Sequence, residues 1–421
     1  MSLFRFISSS TLFFVLAFSG ILSRGDQPKW AWTGAVSPTS ATLKTGWSDA
    51  PPTPLQLSTQ PGLSPAKLQN GKALPAGVLG EIVTYELQNL QPDTVYYYGW
   101  EGQASGQFRT FPSGKADIVF AFASCAKTGS SHPVFESIAE QNPLFFLHTG
   151  DLHYEDIRKN DVEIFREAYS RVFSSPQQNA CLRKMPWIYM WDDHDYGPNN
   201  SNASSPSRPA AMQSYRETVP HYPLALGTDP DKPVAQAFTV GRVRFILTDL
   251  RSAKQPRETM MGEEQLEWFT SEVLRSHRSH AMVVWLSSVP WISPKGSSRD
   301  NWGGFPDERQ EISDFLTRNR ITNFFVISGD AHMLAFDDGS NNTYASNGKG
   351  PGFPVFQAGA LDQRGSVKGG PYSGGTHPGP GHFGLIRIFD QGDAVRVEFE
   401  GRTHTGEILL THTFSRAVEG H

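Results

Sequence analysis

Cysteine is nearly absent. The 421 residues contain only Cys125 and Cys181, which excludes a disulfide-dense secreted scaffold. A single bridge between them is the plain alternative to two free thiols, and it is disfavoured because Cys125 ends an apolar run beside other ligand-type residues. Positive charge is also short: 37 Lys and Arg against 42 Asp and Glu leave a formal charge of −5. No basic stripe is therefore expected for a nucleic-acid backbone, and an anionic substrate would have to be drawn by local charge. Long apolar runs are missing beyond the first 25 residues. Within these, Arg5 precedes the run LFFVLAFSGIL at 12–22, with small residues Ser19, Gly20, Ser23 and Gly25 near a cleavage point. Residues 1–25 read as a secretory signal, so a secreted or periplasmic protein is expected. A membrane anchor is the alternative, but the run is shorter than the ~20 residues that a span needs. No Cys follows it to carry a lipid, no later stretch could span, and no internal repeat is present. With 38% hydrophobic residues, the chain is long enough for two domains with their own cores.

From Trp30 to about Pro112 the pattern is all-β. Residues 39–47 alternate with period two, and Pro/Gly turns separate short runs. The stretch Leu90-Gln91-Pro92-Asp93-Thr94-Val95-Tyr96-Tyr97-Tyr98 resembles the tyrosine corner of fibronectin type III sandwiches, with Tyr96 or Tyr98 in that part. An N-terminal β-sandwich over 30–112 is expected, then a linker at 111–115 and a catalytic domain over 116–416. In that second domain, helices are predicted over 133–140, 162–173, 263–276 and 308–319, alternating with strands. Residues 197–209, rich in Asn, Ser and Pro, read as a loop over the site. Two terminal strands are predicted, at 383–388 and 394–400.

The most informative stretch is 144–155: the apolar Leu-Phe-Phe-Leu runs into His148-Thr149-Gly150-Asp151-Leu152-His153-Tyr154-Glu155. A buried strand that ends in carboxylate, imidazole and phenol delivers chemistry where α/β sheets keep it. The pattern returns at 185–195, where the strand ends in Asp192-Asp193-His194-Asp195, and at 323–332, where it ends in Asp330-Ala331-His332. An earlier strand at 118–123 delivers Ser124-Cys125. Asp151 can bridge two cations, because each of its oxygens can face a different ion. Tyr154, three residues on, offers a phenolate that favours a hard ion such as ferric iron, and Cys125 and His332 would complete that shell. Asp151, Asp193 and Asp330 would give the second ion an all-oxygen shell suited to calcium, magnesium or manganese.

These motifs resemble the alkaline phosphatase D family of metallophosphoesterases, more distantly related to purple acid phosphatases. The matching residues are Ser124-Cys125, Gly150-Asp151-x-x-Tyr154-Glu155, Trp191-Asp192-Asp193-His194-Asp195 with Asn199-Asn200, Asp249-Leu250-Arg251, Trp302-Gly303-Gly304-Phe305-x-x-x-Arg309, and Ser328-Gly329-Asp330-x-His332. They span nearly the whole chain after its first residues, and their order and spacing are specific. The resemblance implies an α/β, four-layer sandwich of two sheets flanked by helices, preceded by a β-sandwich. It also implies a centre of Fe3+ and Ca2+, with Mg2+, Mn2+ or Zn2+ as alternatives for the second ion, and hydrolysis of phosphate esters. Two departures from the wider superfamily stand out. Ala123-Ser124-Cys125 replaces the usual Asp-x-His opening, and Asp193 and Ser287-Ser288 stand where many relatives have Asn and His, so the second site is richer in oxygen.

The expected mechanism is in-line attack by a hydroxide made at a two-cation site, the cations lying about 4 Å apart. His194 is the candidate for protonating or stabilising the leaving oxygen. Arg251 is the candidate for gripping the non-bridging oxygens, its alternative being a salt bridge to Asp249. Asp192, His153 and Asp195 read as partners that orient ligands. His382 reads equally as a rim residue or a loop histidine, and Trp302 and Arg309 equally as braces or substrate contacts. Tyr154 as a packed aromatic is the alternative to ligation. The leading function is a secreted phosphomonoesterase or phosphodiesterase, acting as a monomer on a small phosphate ester or a phosphodiester polymer without specific nucleic-acid recognition. The rival is a surface-binding protein whose metallo-domain is inactive.

Overall fold

The computed structural model describes residues 27–48, 54–75, 80–350 and 352–418. The expected signal segment, 1–25, lies outside them. No helix among the described residues is long and apolar enough to cross a membrane.

Two four-stranded antiparallel sheets open the chain. One runs Trp30–Gly34, Ala41–Trp47, Glu81–Leu87, Lys72–Pro75; the other runs Lys67–Gln69, Leu55–Ser58, Val95–Trp100, Gln103–Arg109. The amide of Gln91 donates to the Tyr96 hydroxyl at 2.9 Å, so Tyr96 and not Tyr98 closes the corner. The alternation over 39–47 leads one to expect a solvated face, yet Lys44 is buried. Its Nζ donates to the carbonyls of Arg216 and Glu217, at the C-terminal end of a helix, where a cation meets the negative end of the dipole. Trp32 reaches the same way: its Nε1 donates to the Trp187 carbonyl at 3.0 Å and its ring packs 4.8 Å from Phe173. The β-rich region and the rest of the chain thus share one continuous apolar core.

Beyond residue 116 two larger sheets pack face to face. The first has the order Trp187–Tyr189, Phe145–His148, Ile118–Ala123, His382–Asp390, Ala394–Thr403, Ile408–Ala417. The second has the order Gln236–Val240, Val243–Leu247, Met282–Ser287, Phe324–Ser328, Val355–Ala358, Met333–Asp337, Thr376–Pro378. Ring pairs such as Phe120 with Phe245 at 5.3 Å and Phe356 with Phe399 at 4.5 Å join their inner faces. The parallel strands are apolar throughout because both faces are covered. Val284 and Leu286 enter the core between the sheets, whereas Val283 and Trp285 enter the core under the helices Glu263–Ser279 and Pro306–Arg318. Each such side chain contributes about 1.5–3 kcal/mol of burial. On the other side lie Val134–Glu140, Val162–Ser174 and Pro176–Leu182. This is the α/β four-layer arrangement expected from the sequence.

Several elements escape the sequence reading. Helix Arg208–Thr218 begins where 197–209 reads as loop, because its start is Ser- and Pro-rich; Pro209 is tolerated there, in the first helical turn. The third terminal strand, Ile408–Ala417, is half-exposed and so carries a weak apolar pattern.

Candidate metal centre

The parallel register sets the site. Ala123, His148 and Tyr189 are level in the first sheet, and Ser287 and Ser328 are level in the second. The turns that follow leave along one edge and meet across the sandwich. They meet closely: a Cβ on Gly329 would lie 2.5 Å from the Thr149 carbonyl oxygen, and one on Gly150, which has φ +106°, would lie 2.5 Å from the Cβ of Asp192. Cys125, Asp151 and Asp330 all adopt left-handed backbone, with φ of 67°, 56° and 62°. Such conformations cost non-glycine residues about 1–3 kcal/mol each and persist only where surroundings hold them. Here the Cys125 amide donates to the Gly150 carbonyl, and the amides of Leu152 and His153 donate to Asp195 Oδ1 at 2.6 and 3.0 Å. Asp195 also closes a capping box with Asp192, so it orients two ligand turns at once.

The structure brings together all six residues expected to hold metal. Cys125 Sγ lies 3.4 Å from Asp151 Oδ2; Tyr154 donates its hydroxyl to that same oxygen at 2.7 Å and lies 3.1 Å from His332 Nε2. His332 Nδ1 faces the Arg364 carbonyl at 2.7 Å, which places its proton on Nδ1 and leaves the Nε2 lone pair turned inward. Ligand atoms of Cys125, Asp151 and His332 all lie within 4.8 Å of one another, as do those of Asp151, Asp192, Asp193 and Asp330. Asp151 belongs to both groups. Asp192, expected only to orient a ligand, stands within the second.

Electrostatics favour cations here. Asp151 Oδ1, Asp192 Oδ2, Asp193 Oδ1 and Asp330 Oδ2 are buried without a hydrogen-bond partner, an arrangement that costs free energy unless something positive binds there. Burial and the neighbouring carboxylates push Asp151 well up, and burial raises Asp330 to about 7 against the pull of Lys368. Asp193 goes the other way: burial opposes ionisation, but Arg251, His194 and the Asn200 amide at 2.6 Å hold it ionised. Burial, then Asp151 and Asp330, also push the Cys125 thiol up. A thiolate at that position needs a counter-cation. The donor set of sulfur, phenol, imidazole and shared carboxylate on one side, and oxygen alone on the other, fits two cations of different hardness.

His194 stands at the rim, its ring 4.1 Å from that of Tyr154 and its Nδ1 2.7 Å from Asp156 Oδ1. One of its nitrogens lies within 4.8 Å of carboxylate oxygens of Asp151 and Asp193. Arg251 lies beneath the site, with its Nη2 buried and without a hydrogen-bond partner. Its side chain is fully buried, donating to Asp192 at 2.6 Å and to Asp300 at 2.5 Å, with Asp193 at 3.8 Å. The alternative pairing with Asp249 is also replaced: only the Arg251 backbone amide reaches that carboxylate. Enclosed among three carboxylates, the guanidinium neutralises the floor of the site.

Trp302 and Arg309 brace. Trp302 Nε1 donates to Ser287 Oγ, and Arg309 donates to the carbonyls of Trp291 and Ser293. His382 is buried beside His377 and His404, outside the ligand groups, and burial lowers it to about 4. His153 is buried against Tyr169. Both cysteines are free. Four residues around the site, Asp156, Lys254, Asp300 and Lys368, are not singled out by the sequence pattern. Lys254 donates to Asp300 at 2.8 Å, and Lys368 donates to Asp330 Oδ1 at 2.5 Å. Asp300 adjoins the Trp302 motif, a signal that was available; Lys368 lies in a Gly-rich stretch without one.

A model of the PhoD-like phosphatase family matches residues 120–372, more than half of the chain. The chain belongs to the PhoD-like phosphatase family. Alkaline phosphatase D of Bacillus subtilis (strain 168) is 26% identical to it over 324 residues, covering 63% of this chain and 55% of that protein. The chain thus spans about half the length of that curated relative. A solved structure of PhoD superposes with a TM-score of 0.73 at 18% identity, covering 94% of this chain and 91% of that one, a likeness of fold. The PhoD-like family implies metal ions, and the two ligand groups above are where this member could hold them.

Proposed function

We propose that this chain is a secreted or periplasmic phosphoric ester hydrolase that works with two cations, ferric iron in the Cys125, Asp151, Tyr154, His332 group and calcium in the Asp151, Asp192, Asp193, Asp330 group. Family membership supports the ester-hydrolase reading. The observation that carries the metal reading is the set of four unpartnered carboxylate oxygens, buried and convergent, beside a thiol and a phenol. Secretion rests on the N-terminal apolar run alone.

Bound cations would supply the positive charge that holds a phosphate and the acidity that makes water a nucleophile near neutral pH. The chain's own residues do the rest. Asp151, which belongs to both groups, would set the spacing of the two cations. Arg251, itself braced by Asp300, which Lys254 also pairs, anchors Asp192 from beneath the floor and helps to keep Asp193 ionised. The loop at 197–209 is tied to the floor, since the Asn200 amide donates to Asp193 Oδ2 and Ser201 Oγ to the Asp193 carbonyl. His194, oriented by Asp156, holds a proton at the rim for the leaving oxygen.

The test is hydrolysis of p-nitrophenyl phosphate and of bis(p-nitrophenyl) phosphate, alongside metal analysis, by the protein loaded with iron and calcium and by the chelated protein. Turnover in the loaded protein that disappears on chelation and returns on reloading is expected. A fully loaded protein that turns over neither ester would overturn the proposal in favour of the binding-protein reading.

A further inference from the structure

Among the described residues, Arg251, Lys254 and Lys368 pair with carboxylates of the centre or of its floor, and they are not alike. The side chains of Arg251 and Lys254 are 0% and 2% exposed and committed to Asp192 and Asp300; the side chain of Lys368 is 40% exposed. Its ammonium meets Asp330 Oδ1 while Oδ2 of that carboxylate stays unpartnered. Asp330 can therefore ligate through one oxygen and keep Lys368 on the other.

The backbone that presents Lys368 is fastened on both sides. Ser366 donates its amide to the His332 carbonyl at 3.1 Å, and Gly370 donates to the Ile292 carbonyl at 2.8 Å. The Tyr372 hydroxyl donates to the carbonyl of Lys368 itself. Earlier in the same loop, the Arg364 carbonyl orients His332, and Asp362 accepts from the Lys127 amide and Ser130 Oγ. The same fastened backbone thus presents an ammonium at the mouth of the centre and orients a ligand imidazole.

We propose that Lys368 is a substrate-binding residue that favours doubly charged phosphate, the monoester dianion, over the singly charged diester. This rests on the phosphoric ester hydrolase reading above. A monoester carries about −1.5 to −2 near neutral pH because its second pKa is about 6, whereas a diester carries one charge. An ammonium beside the oxygen-rich group gains from that extra charge only with the monoester. Arg251 differs in being wholly buried among Asp192, Asp193 and Asp300, whereas Lys368 is open to an incoming anion.

The test is calorimetric binding of inorganic phosphate and of dimethyl phosphate to the metal-loaded protein at pH 8.5, for the native chain, Lys368→Gln and Lys368→Arg. Metal content and melting temperature are measured on each. Lys368→Gln is expected to keep both metals and to weaken phosphate binding about tenfold or more, roughly 1.4 kcal/mol, while dimethyl phosphate changes less than threefold. Lys368→Arg, with its charge retained, is expected to keep the native preference. Equal weakening for both anions in Lys368→Gln, no weakening, or loss of the preference in Lys368→Arg as large as in Lys368→Gln would overturn the proposal. Because binding is read without turnover, a protein that prefers phosphate through Lys368 yet hydrolyses neither ester would fail the functional reading while leaving this one standing.

Discussion

Replacing Arg251 with Met removes a buried cation from beneath three carboxylates, and the structure sets the size of the effect. The guanidinium lies 2.6 Å from Asp192, 2.5 Å from Asp300 and 3.8 Å from Asp193. At an effective dielectric constant near 20, one charge pair at 3.8 Å is worth about 4 kcal/mol. Breaking a buried pair by deleting one partner costs about 3–5 kcal/mol in measured cases, because the other charge is left uncompensated. At about 2 °C per kcal/mol for a domain of this size, Arg251→Met should melt roughly 6–10 °C lower when free of metal. The fall should be smaller with metal bound, because cations on Asp192 and Asp193 supply part of the missing charge. Differential scanning calorimetry with and without calcium reads both numbers. An unchanged melting temperature, with a raised KM as the sole defect, would refute the floor role and return Arg251 to the substrate.

Two further outcomes follow from the rim and from the sulfur and phenol donors. His194→Ala should lower turnover by about 10²- to 10⁴-fold with metal still bound, and Asp156→Asn should do the same to a lesser degree; loss of a metal ion from His194→Ala would make it a ligand instead. Thiolate and phenolate donate electron density to ferric iron under visible light, so the loaded protein should be coloured and should bleach on reduction. Cys125→Ser should shift the band and Tyr154→Phe should weaken it; a colourless, iron-free preparation with full activity would remove iron from the account.

The parallel strands were legible in the sequence because both of their faces are buried, which leaves unbroken apolar runs that stop where the polar turns begin. The runs ending at Cys125, Asp151, Asp193 and Asp330 end together because the register of each sheet puts their last residues level. The same local logic could not place Arg251. Its partners Asp192 and Asp300 lie 59 and 49 residues away, and nothing local distinguishes a guanidinium that turns under the floor from one that reaches over it. Lys368 was invisible for a related reason: a glycine-rich loop has no periodicity, and its course is set by hydrogen bonds to Ile292 and His332 from other turns. The shared core of the N-terminal sheets was hidden too, since period-two alternation over 39–47 says which residues share a face but not that a helix covers the polar one.

In the proposed mechanism Asp151 joins two cation sites that together hydrolyse phosphate esters. Metal stoichiometry and hydrolysis measured on the same preparations of the native chain and Asp151→Asn test it most directly. Two cations per native chain are expected, and in Asp151→Asn the loss of both together with the activity, because a neutral amide cannot supply the shared negative charge. Full metal content and full turnover in Asp151→Asn would contradict it.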